Sequence, residues 1–338
     1  MEREIEMTKI IDVHWHHVPQ AFADAVVSGK LPIAGQVVKK DDGTALVKLD
    51  NGFKQPLPAF LTDPATVIKD LDDAGVDVAA ASIAPPLSHM DCDPEIGLAV
   101  SRAINDAYAE LEDQHNGRIV ALANLPMQDV DLALKELKRV VDDYGFKGIQ
   151  VGSNIGGKNL GDESFFRFWE EIRERDLFVF SHGLSPLGPE RMSEHELKNF
   201  VGLPIDTAVT VGSMVFGGVY ERLPGLKVCY SHGGGAFPCL VGRWDHGYKE
   251  RLSKQSDTTI KLPSEYLKDI YADSLNHDPA GVRYLIERLG AGQVVLGSDH
   301  PFDMGEADPV GKVKEAIDDP AVVEAVLGGT ASRLLNLS

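Results

Sequence analysis

A (β/α)8, or TIM, barrel with a small antiparallel insertion after its first strand is the fold this 338-residue sequence predicts. Three observations predict it. Eight short, β-branched apolar runs recur along the chain with helical patterns between them, the alternation of a parallel α/β protein. Several of these runs are almost continuously apolar, as parallel strands covered on both faces must be. No Gly-x-Gly-x-x-Gly follows the first run, which argues against an open dinucleotide-binding sheet. A minimal barrel takes ~250 residues, so residues 1–338 read as one barrel domain with about 90 residues of insertions and ends.

The strands are expected at 10–14, 76–83, 119–123, 148–151, 177–181, 228–231, 269–273 and 293–298. Asp63-Pro64 opens a helix, with Asp as N-cap and Pro in the first turn. Val67, Leu71 and Ala74 give that helix its apolar face, and Gly75 ends it. Asp93-Pro94 starts a helix that runs towards His115, and Asp129 one towards Tyr144. Further starts are read at Asp162, Asp206 and Asp278-Pro279. Residues 18–62 break the alternation. They show no convincing helix but two alternating stretches, Gln36–Lys39 and Ala45–Leu49, with turn signals at Asp42-Gly43 and Asn51-Gly52. Residues 183–205 form a longer loop with a helix expected near 190–201. Phe165, Phe166 and Phe168 read as core.

Composition bounds the partners. The formal charge is −19, and no basic run offsets it, which excludes nucleic acid and an anionic membrane as main partners. A small anionic substrate remains compatible, because one or two arginines suffice to hold it. Cys92, Cys229 and Cys239 make neither a disulfide framework nor a CxxC zinc motif. The start, MEREIEMTKI, lacks a secretory apolar stretch, and no apolar run approaches the ~18 residues of a membrane span. A reducing cytoplasm is the expected location.

Four of the 11 histidines fall where a barrel builds its active site. His14 and His16 end the first strand, and their i, i+2 spacing sends both side chains to one face. His182 closes the fifth strand, His232 the sixth and Asp299 the eighth. In a barrel these strand ends meet at one mouth, and only closure brings the first and eighth strands together. His14, His16, His182 and Asp299 are then N/O donors suited to one divalent metal, Zn²⁺ in the first place and Mn²⁺ or Fe²⁺ as alternatives, with a position left open. Gly233-Gly234-Gly235 after His232 reads as a tight loop that lets backbone approach the site. It lacks the Gly-Lys-Ser/Thr of a phosphate loop. His17 is a candidate supporting residue, and His300 a candidate substrate contact or packing residue. His89, His115, His195, His246 and His277 read as surface or core.

Five stretches together carry a family resemblance: His14-x-His16 with Val18-Pro19, Asn124-Leu125-Pro126-Met127-Gln128, Gly148–Gly152, the run MVFGGVYERLPGLKVCYSHGGGAFPCLVGRWDHG at 214–247, and LGSDHPF at 296–302. The chain resembles the decarboxylase branch of the amidohydrolase superfamily, in particular the α-amino-β-carboxymuconate-ε-semialdehyde decarboxylases, over nearly its whole length. The resemblance implies a metal, usually zinc, on His14, His16, His182 and Asp299. It implies His232 as general base or acid beside that metal, with Asp299 sharing in proton delivery. It further implies a homodimer in which Arg243 reaches the neighbouring subunit's site to hold a substrate carboxylate.

Two departures bear on the substrate. Relatives carry a carboxylate-binding arginine in the insertion, where this chain has Ala45-Leu46-Val47-Lys48-Leu49. Lys48 is a point charge without a bidentate fork, and one residue out of register it turns to the other face. Relatives also follow the fifth-strand histidine with Pro-Trp, where this chain has Gly183-Leu184-Ser185. The expectation is a decarboxylase of a small carboxylated aromatic or muconate-like acid other than the aminocarboxymuconate semialdehyde. The same residues would equally serve a hydrolase or hydratase acting on a C–C or C–N bond of a ring-cleavage product. A non-catalytic subunit that keeps the metal for folding is a third reading.

Overall fold

The computed structural model describes residues 8–41, 44–115, 117–255 and 260–337. Its strands are β1 (Ile11–His16), β2 (Gly35–Lys39), β3 (Ala45–Leu49), β4 (Lys54–Leu57), β5 (Val78–Ser82), β6 (Ile119–Ala123), β7 (Gly148–Gly152), β8 (Asn154–Ile155), β9 (Lys158–Asn159), β10 (Phe178–His182), β11 (Lys227–Tyr230), β12 (Ile270–Asp273) and β13 (Val294–Val295). Eight of them form a parallel sheet in the order β1-β5-β6-β7-β10-β11-β12-β13, and all eight expected strands are among them. The regular part of the last strand is only Val294–Val295, yet the barrel closes through the residues that follow. Val13 N donates to Leu296 O (2.9 Å), Asp299 N to His14 O (2.8 Å) and His16 N to His300 O (2.7 Å).

Strand alternation divides the apolar side chains into two cores. Ile11, Val13, Val78, Ala80, Val120, Leu122, Phe178, Phe180 and Val295 pack inside the barrel, joined by Ala331, Leu334 and Leu335 from the C-terminal helix. Ala79, Ala81, Val179, Val228, Ile270 and Val294 face outward into the larger core under the helices. β1 departs from simple alternation. Asp12 pairs with Ala79 and Trp15 with Ala81, so three steps of β1 match two of β5. This bulge allows Ile11 and Val13 to fill the interior below while His14 and His16 point inward above, with Trp15 outside.

The Asp-led helices form as the caps require. Asp63 accepts from Ala65 N (2.9 Å) ahead of Pro64–Asp73, Asp93 from Glu95 N (2.9 Å) ahead of Pro94–Gln114, and Asp278 from Ala280 N (3.0 Å) ahead of Pro279–Leu289. Asp129 caps Val130–Tyr144, which ends at Gly145 (φ 75°). Asp162 caps a short turn that leads into Phe166–Glu174. Phe165, Phe166 and Phe168 are buried as expected.

Four expectations need correction. Asp206 does not start a helix. The helix is Leu203–Phe216, opened by Pro204, with Asp206 buried in its first turn. No helix spans 190–201. A short turn at Pro189–Arg191 is followed by a π-type turn, Lys198–Gly202, that runs straight into Leu203–Phe216. Together they make a 19-residue helical run, Lys198–Phe216, of mean hydropathy 1.3, so one segment does reach the length and apolarity of a membrane span. Half of it is buried within the fold, and Phe200, Val201, Ile205 and Phe216 are exposed. The 18–62 segment also contains a helix, Gln20–Val27, whose Phe22, Ala23 and Val26 are buried.

The rest of that segment is the expected antiparallel sheet, β2-β3-β4, with the turn at Asn51-Gly52 (Gly52 φ 89°). The turn read at Asp42-Gly43 and residues 1–7 lie outside the described residues. On β3, Ala45, Val47 and Leu49 are buried and Lys48 is exposed, the face opposite to the core.

Candidate metal centre

Five strand ends place the candidate side chains at the mouth. His14 and His16 close β1, His182 closes β10, Asp273 closes β12, and His232 and Asp299 follow β11 and the last strand. His232 (φ 56°) and Asp299 (φ 61°) both hold the left-handed conformation, uncommon for non-glycine residues and concentrated at functional sites. The glycines after His232 have φ of 61°, 72° and 60°. A Cβ on Gly235 would stand 2.2 Å from Pro204 O, which is the close backbone approach expected of this loop.

The imidazoles converge on one carboxylate. Asp299 Oδ1 lies 3.0 Å from His14 Nε2, 3.2 Å from His16 Nε2 and 3.9 Å from His182 Nε2, and Asp299 Oδ2 lies 3.5 Å from His232 Nε2. Every Nδ1 is engaged on the far side of its ring. His14 Nδ1 donates to Asp273 Oδ2 (2.6 Å) and His182 Nδ1 to Gly183 O (2.7 Å). His16 Nδ1 meets Ser82 Oγ (3.2 Å), and His232 Nδ1 meets Ser231 Oγ (3.0 Å). Outer partners of this kind turn an Nε2 lone pair towards a shared centre.

The donor set is consistent with a divalent cation. Among the described residues, His14 Nε2, His16 Nε2, His182 Nε2 and Asp299 Oδ1 are all buried without a hydrogen-bond partner. Buried polar atoms are rarely orphaned unless something else satisfies them. One atom each from His14, His182, His232 and Asp299 also lies within 4.8 Å of the others. The two groupings share His14, His182 and Asp299 and differ in the fourth member. His16 is enclosed and its Nε2 orphaned, whereas the His232 side chain keeps 20% of its surface exposed. His16 therefore suits a ligand, and His232 faces the opening.

Electrostatics favour a neutral ring at two of the three candidate ligand imidazoles, whereas His14 carries a proton that a bound cation would have to displace. Burial pushes His182 down to about 3 and also lowers His16, so both rings are neutral, as ligands must be. Burial would lower His14 too, but Asp299 and Asp273 outweigh it and raise that ring to about 10. Burial raises Asp299, and the imidazoles overcome this to hold its carboxyl well below the usual range. Two carboxylates at the mouth thus supply negative charge that a bound cation would balance.

Asp273 joins the site although no motif singles it out, since it stands at a strand terminus like Asp299. Its carboxylate also accepts from His232 N (3.0 Å), Gly233 N (2.7 Å) and Leu275 N (3.2 Å). His300 stacks on Trp15 (ring centroids 3.8 Å apart) and approaches Asp70 (3.2 Å), a packing position. His17 is buried on its own, its carbonyl held by Tyr108 Oη (2.7 Å). Arg243 is not in the cluster. It is exposed on the helix Phe237–Gly247, beside Phe216 and Trp244 at an open cavity of about 550 Å³, with no ion pair among the described residues.

Fold and mouth together define a (β/α)8 barrel whose strand ends gather four imidazoles and a carboxylate around a candidate metal position. The chain belongs to the amidohydrolase family, whose profile matches residues 11–337. It is 34% identical over 331 residues to 2-amino-3-carboxymuconate-6-semialdehyde decarboxylase of Dictyostelium discoideum, covering 97% of this chain and 91% of that one. A solved 5-carboxyvanillate decarboxylase from Sphingomonas paucimobilis superposes with a TM-score of 0.83 at 24% identity, over 98% of this chain and 100% of that one. A dihydroxybenzoic acid decarboxylase from Polaromonas sp., solved with manganese and 2-nitroresorcinol, gives 0.79 at 21% identity over 98% of each chain. At these identities the two structures establish the fold.

Proposed function

We propose that this protein is a metal-dependent, non-oxidative decarboxylase of a small aromatic or muconate-like carboxylic acid. The observation that carries the proposal is the set of buried, orphaned atoms on His14, His16, His182 and Asp299, with His232 at their open side. These four residues would hold one divalent ion, which we assign as Zn²⁺; Mn²⁺ and Fe²⁺ suit the same donors. When bound, the ion supplies Lewis-acid stabilisation of the negative charge that develops as the carboxylate leaves.

The chain's own residues supply the rest. Asp273 and Gly183 fix the rings of His14 and His182, so the site is arranged before substrate arrives. In the reaction the bond between carbon and carboxylate breaks, CO2 departs, and its electron pair remains on the carbon. His232 and Asp299, 3.5 Å apart, form the pair that delivers a proton to that carbon. A decarboxylase name on the 34%-identical relative supports the reaction class.

The proposal extends to a homodimer. Arg243 is exposed and, among the described residues, unpaired, and the neighbouring helical run exposes Phe200, Val201, Ile205 and Phe216. A second copy packed there would receive the guanidinium as a fork for its substrate carboxylate. Free thiols at Cys92, Cys229 and Cys239 suit a reducing cytoplasm.

The test is metal-loaded protein incubated with hydroxybenzoates, carboxyvanillate and muconate-type acids. The expected result is CO2 equimolar with a product that carries no oxygen from labelled water. No CO2 from any acid, together with water-dependent cleavage of another compound, would replace this reading with hydrolysis.

A further inference from the structure

Asp206 is a buried carboxylate that the proposed chemistry does not use. It lies in the first turn of Leu203–Phe216, 3% exposed, with no cation paired to it among the described residues. Burial pushes its carboxyl up, and the groups it accepts from bring it part of the way back. Those groups are the Ser153 hydroxyl, through a short hydrogen bond, and the Asn154 side-chain amide (3.4 Å). Both residues follow β7, next to β10.

Ser153 and Asn154 in turn hold the loop that follows His182. Ser153 N donates to His182 O (2.8 Å), and Ser153 Oγ accepts from Leu184 N (3.1 Å). Asn154 Nδ2 donates to Ser185 O (3.1 Å). Thr210, one turn beyond Asp206, donates to Ser153 O (2.7 Å). A hydroxyl whose proton is committed to a carboxylate must present its lone pair elsewhere, here to the Leu184 amide. The carboxylate therefore fixes a direction as well as a distance.

The loop held in this way carries the surroundings of the mouth. Its first residue is His182, whose Nδ1 is bonded to Gly183 O (2.7 Å). Leu184 lies over Gly152, the β7 residue paired with His182. A Cβ at Gly152 would stand 3.6 Å from Leu184 and 3.8 Å from Met90 Sδ, so both apolar side chains flank that strand end.

We propose that Asp206 is a positioning residue: through Ser153 and Asn154 it fixes the 182–185 loop, and with it the setting of His182 and of Leu184 as an apolar wall for the substrate ring. The wall rests on the decarboxylase reading, whereas the fixing of the loop does not.

The test compares Asp206→Leu, which removes the acceptor at similar volume, with Asp206→Asn, which keeps one. Hydrogen exchange over residues 182–186 is measured in the full-length, metal-loaded protein, and KM and kcat are measured with the best acid of the panel. Asp206→Leu should speed exchange there and raise KM, each by about tenfold, with kcat changed much less, as the loss of one charge-assisted hydrogen bond implies. Asp206→Asn should restore most of both. Glu136→Leu removes another wholly buried carboxylate, one bonded to Asn105 and Arg139, and should lower stability without moving either readout. If Asp206→Leu does not fold, Ser153→Ala breaks the same link and is read in the same way. Unchanged exchange at 182–186, or the same changes in Glu136→Leu, overturns the proposal. If the wild-type protein releases no CO2 from any acid, the decarboxylase reading and the wall fall together, and exchange alone decides the positioning.

Discussion

Asp273 shows how much one carboxylate organises. It receives His14 Nδ1 on one oxygen and the backbone amides of Gly233 and Leu275 on the other, while His232 N shares the first. One buried group thus aims a candidate ligand and anchors the turn that carries the candidate acid–base residue. Asp273→Asn keeps the volume but replaces one acceptor oxygen with a donor, which opposes either His14 or the amides. We expect divalent-metal affinity to fall by about 10–100-fold, as for other outer partners of metal ligands. Metal competition with a chelator measures this, and an unchanged affinity would remove Asp273 from the support of the site. His232→Asn separates the two imidazole roles: metal should remain bound while CO2 release falls by about 10²-fold or more, and loss of metal would make His232 a ligand. That His14, His16, His182 and Asp299 come together was legible in the sequence because strand ends of a barrel must meet. Asp273 obeys the same rule. A lone Asp at a strand end, however, carries no spacing motif to mark it.

Among the elements, the closure between the last strand and β1 is where sequence and geometry are most tightly linked. Gly297 sits at that seam, and a Cβ there would stand 2.7 Å from Asp273 Cβ and 2.8 Å from His14 Cβ. Neither neighbour can give way without moving a residue of the mouth. Gly297→Ala should therefore destabilise by about 1–3 kcal/mol, the usual cost of overpacking, and weaken metal binding as well. Denaturant unfolding and metal titration check the two effects, and full metal affinity would show that the seam relaxes freely. The strands and most helices were legible because Asp-Pro caps and apolar runs are local signals. The helix Gln20–Val27 was not, since Pro19 precedes it and no side chain caps it. Leu203–Phe216 was placed three residues late because Asp206 reads as a cap, although Pro204 marked the true first turn. The β1 bulge left no local trace, as the pairing that defines it is with a strand more than 60 residues away.

At the scale of the whole molecule, the charge of −19 and the proposed acid substrate are reconciled by placement, since cationic chemistry is needed only at the mouth. If Arg243 serves the neighbouring site, Arg243→Ala mixed with a metal-site variant should regain about half of the wild-type activity per heterodimer, about a quarter for a random equal mixture, because one of the two sites is complete in each mixed pair; full activity in the Arg243→Ala homodimer would remove it from the site. The barrel also encloses several neutral imidazoles, and this sets its response to acid. Burial lowers His17 to about 4 and His182 to about 3, and it lowers His16 and His89 as well. Between those values and the ordinary ~6.5 the unfolded chain binds more protons than the folded one, so stability rises with pH there. Asp12, raised by burial to about 7, and the raised carboxyls of Asp206 and Glu112 act in the opposite sense, as three groups against five lowered imidazoles, the fifth being His300. His14, raised to about 10, is protonated in both states across this window and adds no slope, its own contribution being lost only as pH climbs from ~6.5 towards 10. Metal-free protein should therefore lose stability steadily from pH ~6.5 to ~4.5, each excess proton adding up to about 1.4 kcal/mol per pH unit. Urea unfolding of chelator-treated protein at three pH values measures the slope. His89→Gln, at a ring outside the candidate ligand set, should reduce it by one proton's share, and a flat or inverted profile would mean that burial does not hold these rings neutral.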